Sequence, residues 1–212
     1  MKACGRRLKF EILNLKLDVS QSEKLIVAIT GENGSGKDTV SDLLVSKYGA
    51  KKLVFSDLLK EALMVFVEKE NIGRSDFSWL STNLRKRFGD GILGHGMKKK
   101  IDATEEKLIV ISGVRDFGEL KMIQSYAGGI LLYVTADIKT RWERLRARNI
   151  KADDQVSFEQ FSKEKENLPS EKHIRALGIK ADYRIDNDGN KEDLEKSVDE
   201  FMKKIKVRNS NE

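Results

Sequence analysis

The feature that most constrains this chain is a glycine-rich segment, Gly31-Glu-Asn-Gly-Ser-Gly-Lys37, set between an apolar run and an amphipathic pattern. The run before it, residues 25–30, predicts a buried strand, and residues 38–48 predict a helix. Glycines at this spacing let successive backbone N–H groups turn inward, and the helix that follows adds its positive end. Because strand, loop and helix accompany the terminal lysine, the segment predicts a Walker A phosphate-binding loop.

Further apolar runs and helical patterns alternate along the rest of the chain. The strand runs are near-continuous rather than alternating, as expected for a parallel sheet covered on both faces. The alternation of strand and helix predicts a doubly wound α/β domain in which five parallel strands have helices on both faces. Predicted strands cover residues 25–30, 53–56, 108–112, 130–135 and 183–186, and predicted helices cover residues 38–48, 58–68, 119–126, 139–148, 158–167 and 192–205.

The length of 212 residues suits one domain, which we place at residues 24–207. Residues 71–104 exceed what a simple crossover needs and predict a helical insertion that holds a second substrate. Residues 1–23 are an N-terminal extension, either an edge strand or hairpin or a tail, and residues 208–212 are a short tail.

Composition limits the classes of ligand and partner that we expect for this chain. Lys plus Arg number 40 and Asp plus Glu 34, a formal charge of +6, but the signs are mixed along the chain. This pattern argues against nucleic acid and favours small phosphorylated ligands. The single Cys4 forms no intrachain disulfide, and the separation of His95 from His173 argues against zinc. No apolar run approaches the ~20 residues that span a bilayer. We expect a cytoplasmic protein without a membrane partner, either a monomer or a homodimer.

Within the loop, Lys37 is the residue expected to bridge the β- and γ-phosphates of a bound nucleotide. Asp38 occupies the position where Ser or Thr normally contacts Mg²⁺. Its carboxylate either holds the ion, directly or through water, or only caps the helix. A loop that binds nucleotide without catalysis is a third alternative. The residues expected to contact the nucleotide are Gly31, Asn33, Gly34, Ser35, Gly36, Lys37, Asp38 and Thr39.

Two charged residues follow predicted strands, where open α/β sheets bind ligands. Asp57 can position an acceptor, take its proton or hold Mg²⁺-bound water; the alternative is an N-cap for a helix starting at Leu58. Arg115 can clamp an acceptor phosphate with two hydrogen bonds; the alternative is a surface salt bridge with Asp116 or Glu119.

The remaining candidates lie in the insertion and in a predicted lid at residues 141–155. Arg85 and Arg87 either bind the acceptor or form a solvated basic face. Helical spacing places Arg141, Arg144 and Arg148 on one side of the lid helix, where at least one is expected to close over the γ-phosphate. Trp142 and Leu145, on the other side, are expected to pack.

Several segments resemble deoxynucleoside monophosphate kinases of phages and bacteria: Gly36-Lys-Asp-Thr39, residues 55–63, and Ile111-Ser-Gly-Val-Arg-Asp116. Residues 181–189 are similar to archaeal adenylate-kinase-related proteins and to dephospho-CoA kinase. The resemblance covers about residues 24–207. It implies a P-loop kinase fold with strand order 2-3-1-4-5, ATP as donor and Mg²⁺, with Asn187 beside the adenine.

One position departs from this pattern. Many of these relatives carry Asp where this chain has Ser112, which shifts the expected metal ligands to Asp38 and Asp57.

The resulting prediction is transfer of the γ-phosphate of ATP to a nucleoside or deoxynucleoside monophosphate. The hydroxyl of dephospho-CoA is an alternative acceptor. A mechanical ATPase of the ABC type would need a Leu-Ser-Gly-Gly signature and an Asp-Glu pair ending a strand, and the chain has neither. A non-catalytic nucleotide sensor is the remaining alternative.

Overall fold

The computed structural model describes residues 24–148, 156–165 and 168–210. Five strands form one parallel sheet in the order β2-β3-β1-β4-β5, which confirms both the predicted fold class and the strand order implied by the resemblance. The strands are β1 (Leu25–Thr30), β2 (Lys51–Val54), β3 (Leu108–Ser112), β4 (Gly129–Thr135) and β5 (Tyr183–Asp186).

Eight helices of at least seven residues lie in the described part of the chain. A 3₁₀ turn, Lys69–Asn71, precedes the third of them, and Phe158–Gln160 with a π-helical turn, Phe161–Lys165, precedes the seventh. The helices are α1 (Lys37–Tyr48), α2 (Phe55–Met64), α3 (Arg74–Phe88), α4 (Ile92–Asp102), α5 (Phe117–Ile123), α6 (Ile138–Arg148), α7 (Pro169–Ile179) and α8 (Lys191–Ser210).

The central strand β1 serves two hydrophobic cores because successive side chains of a strand point to opposite faces. Ile26 and Ala28 pack in the core that is completed by α2, α4, α5 and Leu177 of α7. Val27 and Ile29 pack in the other core, under α1 and α8. All four side chains are fully buried, so the sheet holds the carboxyl end of β1, and the loop after it, in a fixed place.

The insertion contains two helices, α3 and α4, which pack on the first core through Phe77, Leu84 and Met97 among others. Lys24, just before β1, binds the end of α4: its Nζ donates to the carbonyls of Ile101 at 2.7 Å and Thr104 at 2.5 Å. The lysine adds a charged donor at the helix end, where the carbonyl of Ile101 also accepts from the N–H of Thr104 at 3.1 Å.

Several predicted boundaries are wrong. The second strand covers Lys51–Val54 and not 53–56, because the buried Phe55 begins a helix instead of ending the strand. The predicted helix at 158–167 is a short α-turn followed by a π-turn, in the part of it that the structure describes. Helix α7 was not predicted at all, although Pro169 at its first position is a typical start signal.

Candidate functional site

The glycine-rich loop is closely packed against its surroundings. A Cβ at Gly31 would lie 2.1 Å from the carbonyl oxygen of Val134 in β4, and Gly31 is therefore required where the loop leaves β1. Gly34 has φ +83° and its α-carbon faces the backbone of Arg141, where a Cβ would lie 2.7 Å from the carbonyl oxygen. Only glycine meets both the left-handed conformation and the close approach.

Buried polar side chains also fix the loop. The Glu32 carboxylate, 3% exposed, accepts a hydrogen bond from the Tyr133 hydroxyl. Burial, and then this hydrogen bond, raise the pKa of Tyr133 to about 12. The Asn187 side chain, in a residue 5% exposed, donates from Nδ2 to the carbonyl of Ser35 at 2.8 Å. Asn187 thus supports the loop backbone; its predicted contact with adenine stays a prediction.

Lys37 begins α1 at the end of this loop, and three cations converge there. Burial lowers the pKa of Lys37, Asp38 raises it, and the positive charges of Arg115 and Arg148 lower it further; Glu171 of α7 raises it. The structure therefore brings together Lys37, Arg115 and Arg148, which come from three separate segments. Like charges gathered at a helix N-terminus favour an anionic ligand.

Asp38 lies in the first turn of α1, one residue after Lys37. The N-cap of α1 is Gly36, and no side chain caps the helix, so the expectation that Asp38 only caps it is wrong. Its Oδ1 accepts instead from the Ser112 hydroxyl at 3.3 Å. Asp38 and Thr39 are exposed.

Asp57 is an exposed residue in the first turn of α2, and the N-cap of that helix is Val54. The alternative of an N-cap role for Asp57 is wrong, because α2 begins at Phe55 rather than Leu58. Since Val54 pairs with Ser112 in the sheet, Asp57 follows the same sheet edge as Ser112.

The oxygens of Asp38 and Ser112 fit Mg²⁺, which usually takes one or two protein ligands and completes its shell with phosphates and water. No cluster of three or more His, Cys, Asp or Glu that could enclose a metal exists among the described residues. Metal binding by Asp57, the second predicted ligand, stays a prediction.

Arg115 follows β3, and its side chain is exposed. Neither predicted salt bridge, to Asp116 or to Glu119, forms with its guanidinium; Glu119 binds the backbone N–H of Arg115 instead, at 2.7 Å. The side chain that pairs with both carboxylates is Arg85 of α3, whose Nη2 lies 2.6 Å from Asp116 Oδ2 and 2.9 Å from Glu119 Oε1. The alternative that Arg85 belongs to a solvated basic face is therefore wrong. To bind the acceptor as predicted, its guanidinium would have to be shared with two carboxylates.

Arg87, by contrast, is exposed, with its guanidinium 5.8 Å from the centre of the Phe88 ring. That position agrees with a solvated face, and acceptor binding by Arg87 stays a prediction.

The lid arginines have different surroundings although they share one side of α6. Arg141 is 4% exposed and donates from Nε to the carbonyl of Ala136 at 2.9 Å. Arg144 donates to the carbonyls of Asn187 at 2.7 Å and Gly189 at 3.1 Å. Arg148 is exposed and acts on Lys37, and residues 149–155 of the predicted lid lie outside the described part.

Trp142 and Leu145 of α6 pack as predicted, but Leu145 shares the buried side of the helix with Arg141, four residues earlier, and does not lie opposite the arginines. Leu145 is 4% exposed. The Trp142 indole donates to the carbonyl of Val156 at 2.9 Å and meets the Phe158 ring edge-on, with centroids 5.6 Å apart. Of the three lid arginines, only Arg148 therefore has the exposed position that is expected of a cation closing over phosphate.

Three buried glutamates had no function predicted from the sequence: Glu32, Glu171 and Glu119. The signal for Glu119 was its spacing from Asp116, since an acid three residues after an Asp is typical of a helix start. No local pattern marks Glu171, because the helix that places it near Lys37 was not predicted.

Comparison with known proteins shows the family and the fold. The AAA_18 family, described as an AAA domain, matches residues 27–167. A UPF0200 protein of Sulfurisphaera tokodaii is 32% identical over 181 residues, which are 85% of this chain and 97% of that protein. The chain belongs to the UPF0200 family.

Two solved structures show the same fold as this UPF0200 protein. Shikimate kinase from Bacteroides thetaiotaomicron is similar with a TM-score of 0.52 at 15% identity, covering 86% of this chain and 98% of that one. Dephospho-CoA kinase from Campylobacter jejuni is similar with a TM-score of 0.50 at 15% identity, again over 86% and 98%. The fold is therefore that of P-loop kinases.

The described helices include none that is both long enough and apolar enough to cross a membrane.

Proposed function

We propose that this UPF0200 protein transfers the γ-phosphate of ATP to a small phosphorylated acceptor, namely a nucleoside or deoxynucleoside monophosphate. One observation carries the proposal. Burial lowers the pKa of Lys37, and the positive charges of Arg115 and Arg148, from two other segments, lower it further. Such an arrangement is stabilised when a polyphosphate neutralises it.

The proposed roles follow from where each group lies. The backbone N–H groups of the loop and Lys37 bind the β- and γ-phosphates of ATP. Arg115 and Arg148 neutralise charge that spreads over the phosphoryl group during transfer, since phosphoryl transfer depends on positioning and electrostatic stabilisation. Asp38 and Ser112 would hold Mg²⁺, which would supply further neutralisation when it is bound with ATP.

A hydroxyl acceptor of the dephospho-CoA type is a second candidate. Asp57 favours it, because this exposed carboxylate follows β2 at the sheet edge where Ser112 ends β3. A carboxylate at such a place can take the proton of an attacking hydroxyl, whereas a phosphate acceptor needs no base.

The test is ADP release from Mg²⁺·ATP, measured by a coupled assay with each common nucleoside and deoxynucleoside monophosphate and with dephospho-CoA. We expect release that depends on one class of acceptor. Release without any acceptor would indicate an ATPase, and no release with bound ATP would indicate a sensor.

Two variants distinguish a catalytic role of the loop from a general loss of stability. Asp38→Ala is expected to lower kcat by at least about tenfold, since it removes a charged ligand near the phosphates. The matched control is Asp42→Ala, which removes a carboxylate of the same helix that pairs with Lys52 at 2.7 Å, away from the loop. Equal losses in both variants would argue against a role for Asp38 in the chemistry.

A further inference from the structure

A partly buried network of ion pairs connects the insertion to the loop after β3. Arg85 of α3 binds both Asp116 and Glu119. Asp116 is also the N-cap of α5, because its Oδ1 accepts from the backbone N–H of Glu119 at 2.9 Å. The second oxygen of Glu119, Oε2, accepts from the N–H of Arg115 at 2.7 Å. With 1% of the residue exposed, Glu119 joins two parts of the chain away from water.

The same loop is also fixed to the central strand. The N–H groups of Gly113 and Val114 donate to the carbonyl of Ile29 in β1, at 3.1 and 3.2 Å. Gly113 turns the chain with φ +85°. Hydrogen bonds to β1 therefore fix the backbone just before Arg115, and Glu119 fixes the N–H of Arg115 itself. The exposed guanidinium thus extends from a backbone that is held at both points.

We propose that Glu119 is a positioning residue: its ionised carboxylate sets the backbone of Arg115 and ties it to Arg85, so that the insertion and the phosphate site act as one unit. This inference rests on the proposed function only for the statement that Arg115 binds phosphate.

Protonation would weaken the arrangement, because the protonated oxygen of a neutral carboxyl group becomes a donor and a poorer acceptor than a carboxylate oxygen. The Arg115 N–H and the Arg85 guanidinium are both donors, so one of these two hydrogen bonds to Glu119 would be weakened, although Arg85 would keep its ion pair with Asp116.

Burial, together with the charges around Glu119, places this change near neutral pH. Burial raises the pKa of Glu119 to about 7, and Asp116 raises it as well, whereas the Arg115 N–H and Arg85 act in the opposite direction. Helix α4 also packs against α5, but its Lys98 and Asp102 engage Tyr126: the lysine lies 4.5 Å from the ring centre, and the hydroxyl donates to Asp102 at 2.7 Å.

The first experiment needs no ligand. In the full-length protein, the ¹⁵N amide shift of Arg115 is followed by NMR from pH 5 to 9 in the wild type, in Glu119→Gln and in Glu61→Gln. Glu61 of α2 is a matched control because it also forms an ion pair with the insertion, to Lys100 of α4, but has no contact with Arg115. We expect a titration near pH 7 in the wild type and in Glu61→Gln, and none in Glu119→Gln.

The second experiment is a double-mutant cycle with diadenosine pentaphosphate, which carries two adenosines on one phosphate chain. Glu119→Gln is expected to weaken its binding by about tenfold. In an Arg115→Ala background the same change should have less than about a twofold effect, since a residue that acts through Arg115 has nothing left to position. Glu61→Gln should leave binding unchanged in both backgrounds.

The two experiments separate the possible failures. An Arg115 amide that does not titrate, or that still titrates in Glu119→Gln, would overturn the inference whatever the protein binds. Equal effects of Glu119→Gln with and without Arg115 would also overturn it, because the residue would then act only on general stability. A wild type that fails to bind the pentaphosphate while the amide titrates as expected would count against the proposed function and leave the coupling in place.

Discussion

The hydrogen bond from the Asn187 side chain to the carbonyl of Ser35 in the phosphate loop gives a quantitative prediction. Asn187→Ala removes the donor that satisfies the buried carbonyl of Ser35 at 2.8 Å. An unsatisfied buried acceptor costs about 1–3 kcal/mol, so the free energy of unfolding should fall by that amount. The backbone N–H of Asn187, which donates to Thr135 at 2.8 Å, is kept, so the turn after β5 itself should remain.

Nucleotide affinity should fall as well, because ATP must then order a loop that the wild type holds in place. We expect ATP to bind about five- to tenfold more weakly, which corresponds to about 1–1.4 kcal/mol of binding free energy. Urea unfolding of the free protein measures the first quantity, and calorimetric titration with Mg²⁺·ATP measures the second.

Asn190→Ala is the matched control for this change. Asn190 follows in the same turn and accepts from the N–H of Asp193 at 2.9 Å, so its loss also destabilises the protein, by about 0.5–2 kcal/mol. It has no contact with the loop, and ATP affinity should be unchanged. If Asn187→Ala and Asn190→Ala weakened ATP binding equally, or if neither did, the reasoning about a buried clamp on Ser35 would be refuted.

Three further changes test other parts of the structure. Gly31→Ala should lower Tm by several degrees in a thermal melt, because its Cβ would lie 2.1 Å from the Val134 carbonyl oxygen; an unchanged Tm would show that the loop is not packed as described. Lys24→Met should cost about 1–2 kcal/mol in urea unfolding, since the carbonyls of Ile101 and Thr104 lose a charged donor, and no loss would contradict that capping. Because the pKa of Glu119 is raised from 4.5 to about 7, the folded protein binds the proton more tightly than the unfolded chain. The free energy of unfolding should therefore decrease as pH rises from about 4.5 to 7, by up to about 3 kcal/mol in total; an equal slope in Glu119→Gln would refute this.

Sequence analysis predicted the sheet and the phosphate loop because both depend on local patterns. Apolar runs such as residues 25–30 identify buried strands, and Gly31 to Lys37 is defined by spacing alone. The order of the strands came from family resemblance, since no local pattern specifies which strands become neighbours.

The contacts of individual site residues could not be predicted in the same way. Whether Arg85 or Arg115 would pair with the acids at 116 and 119 depends on how α3 docks, and that docking is a matter of tertiary packing. The second strand was misplaced because it lies at the edge of the sheet, where Lys51 and Lys52 are tolerated and the apolar signal is weak.

The most direct test of the account is a calorimetric titration of the full-length protein with Mg²⁺·ATP, comparing the wild type, Lys37→Met and Lys47→Met. Lys47 is a control from the same helix, paired with Asp199 at 2.8 Å and remote from the loop. We predict that the wild type and Lys47→Met bind ATP equally and that Lys37→Met binds it at least about tenfold more weakly, because charged hydrogen bonds to phosphate are lost. ATP binding that is absent from the wild type, or undiminished in Lys37→Met, would contradict the claim that this loop holds a nucleotide.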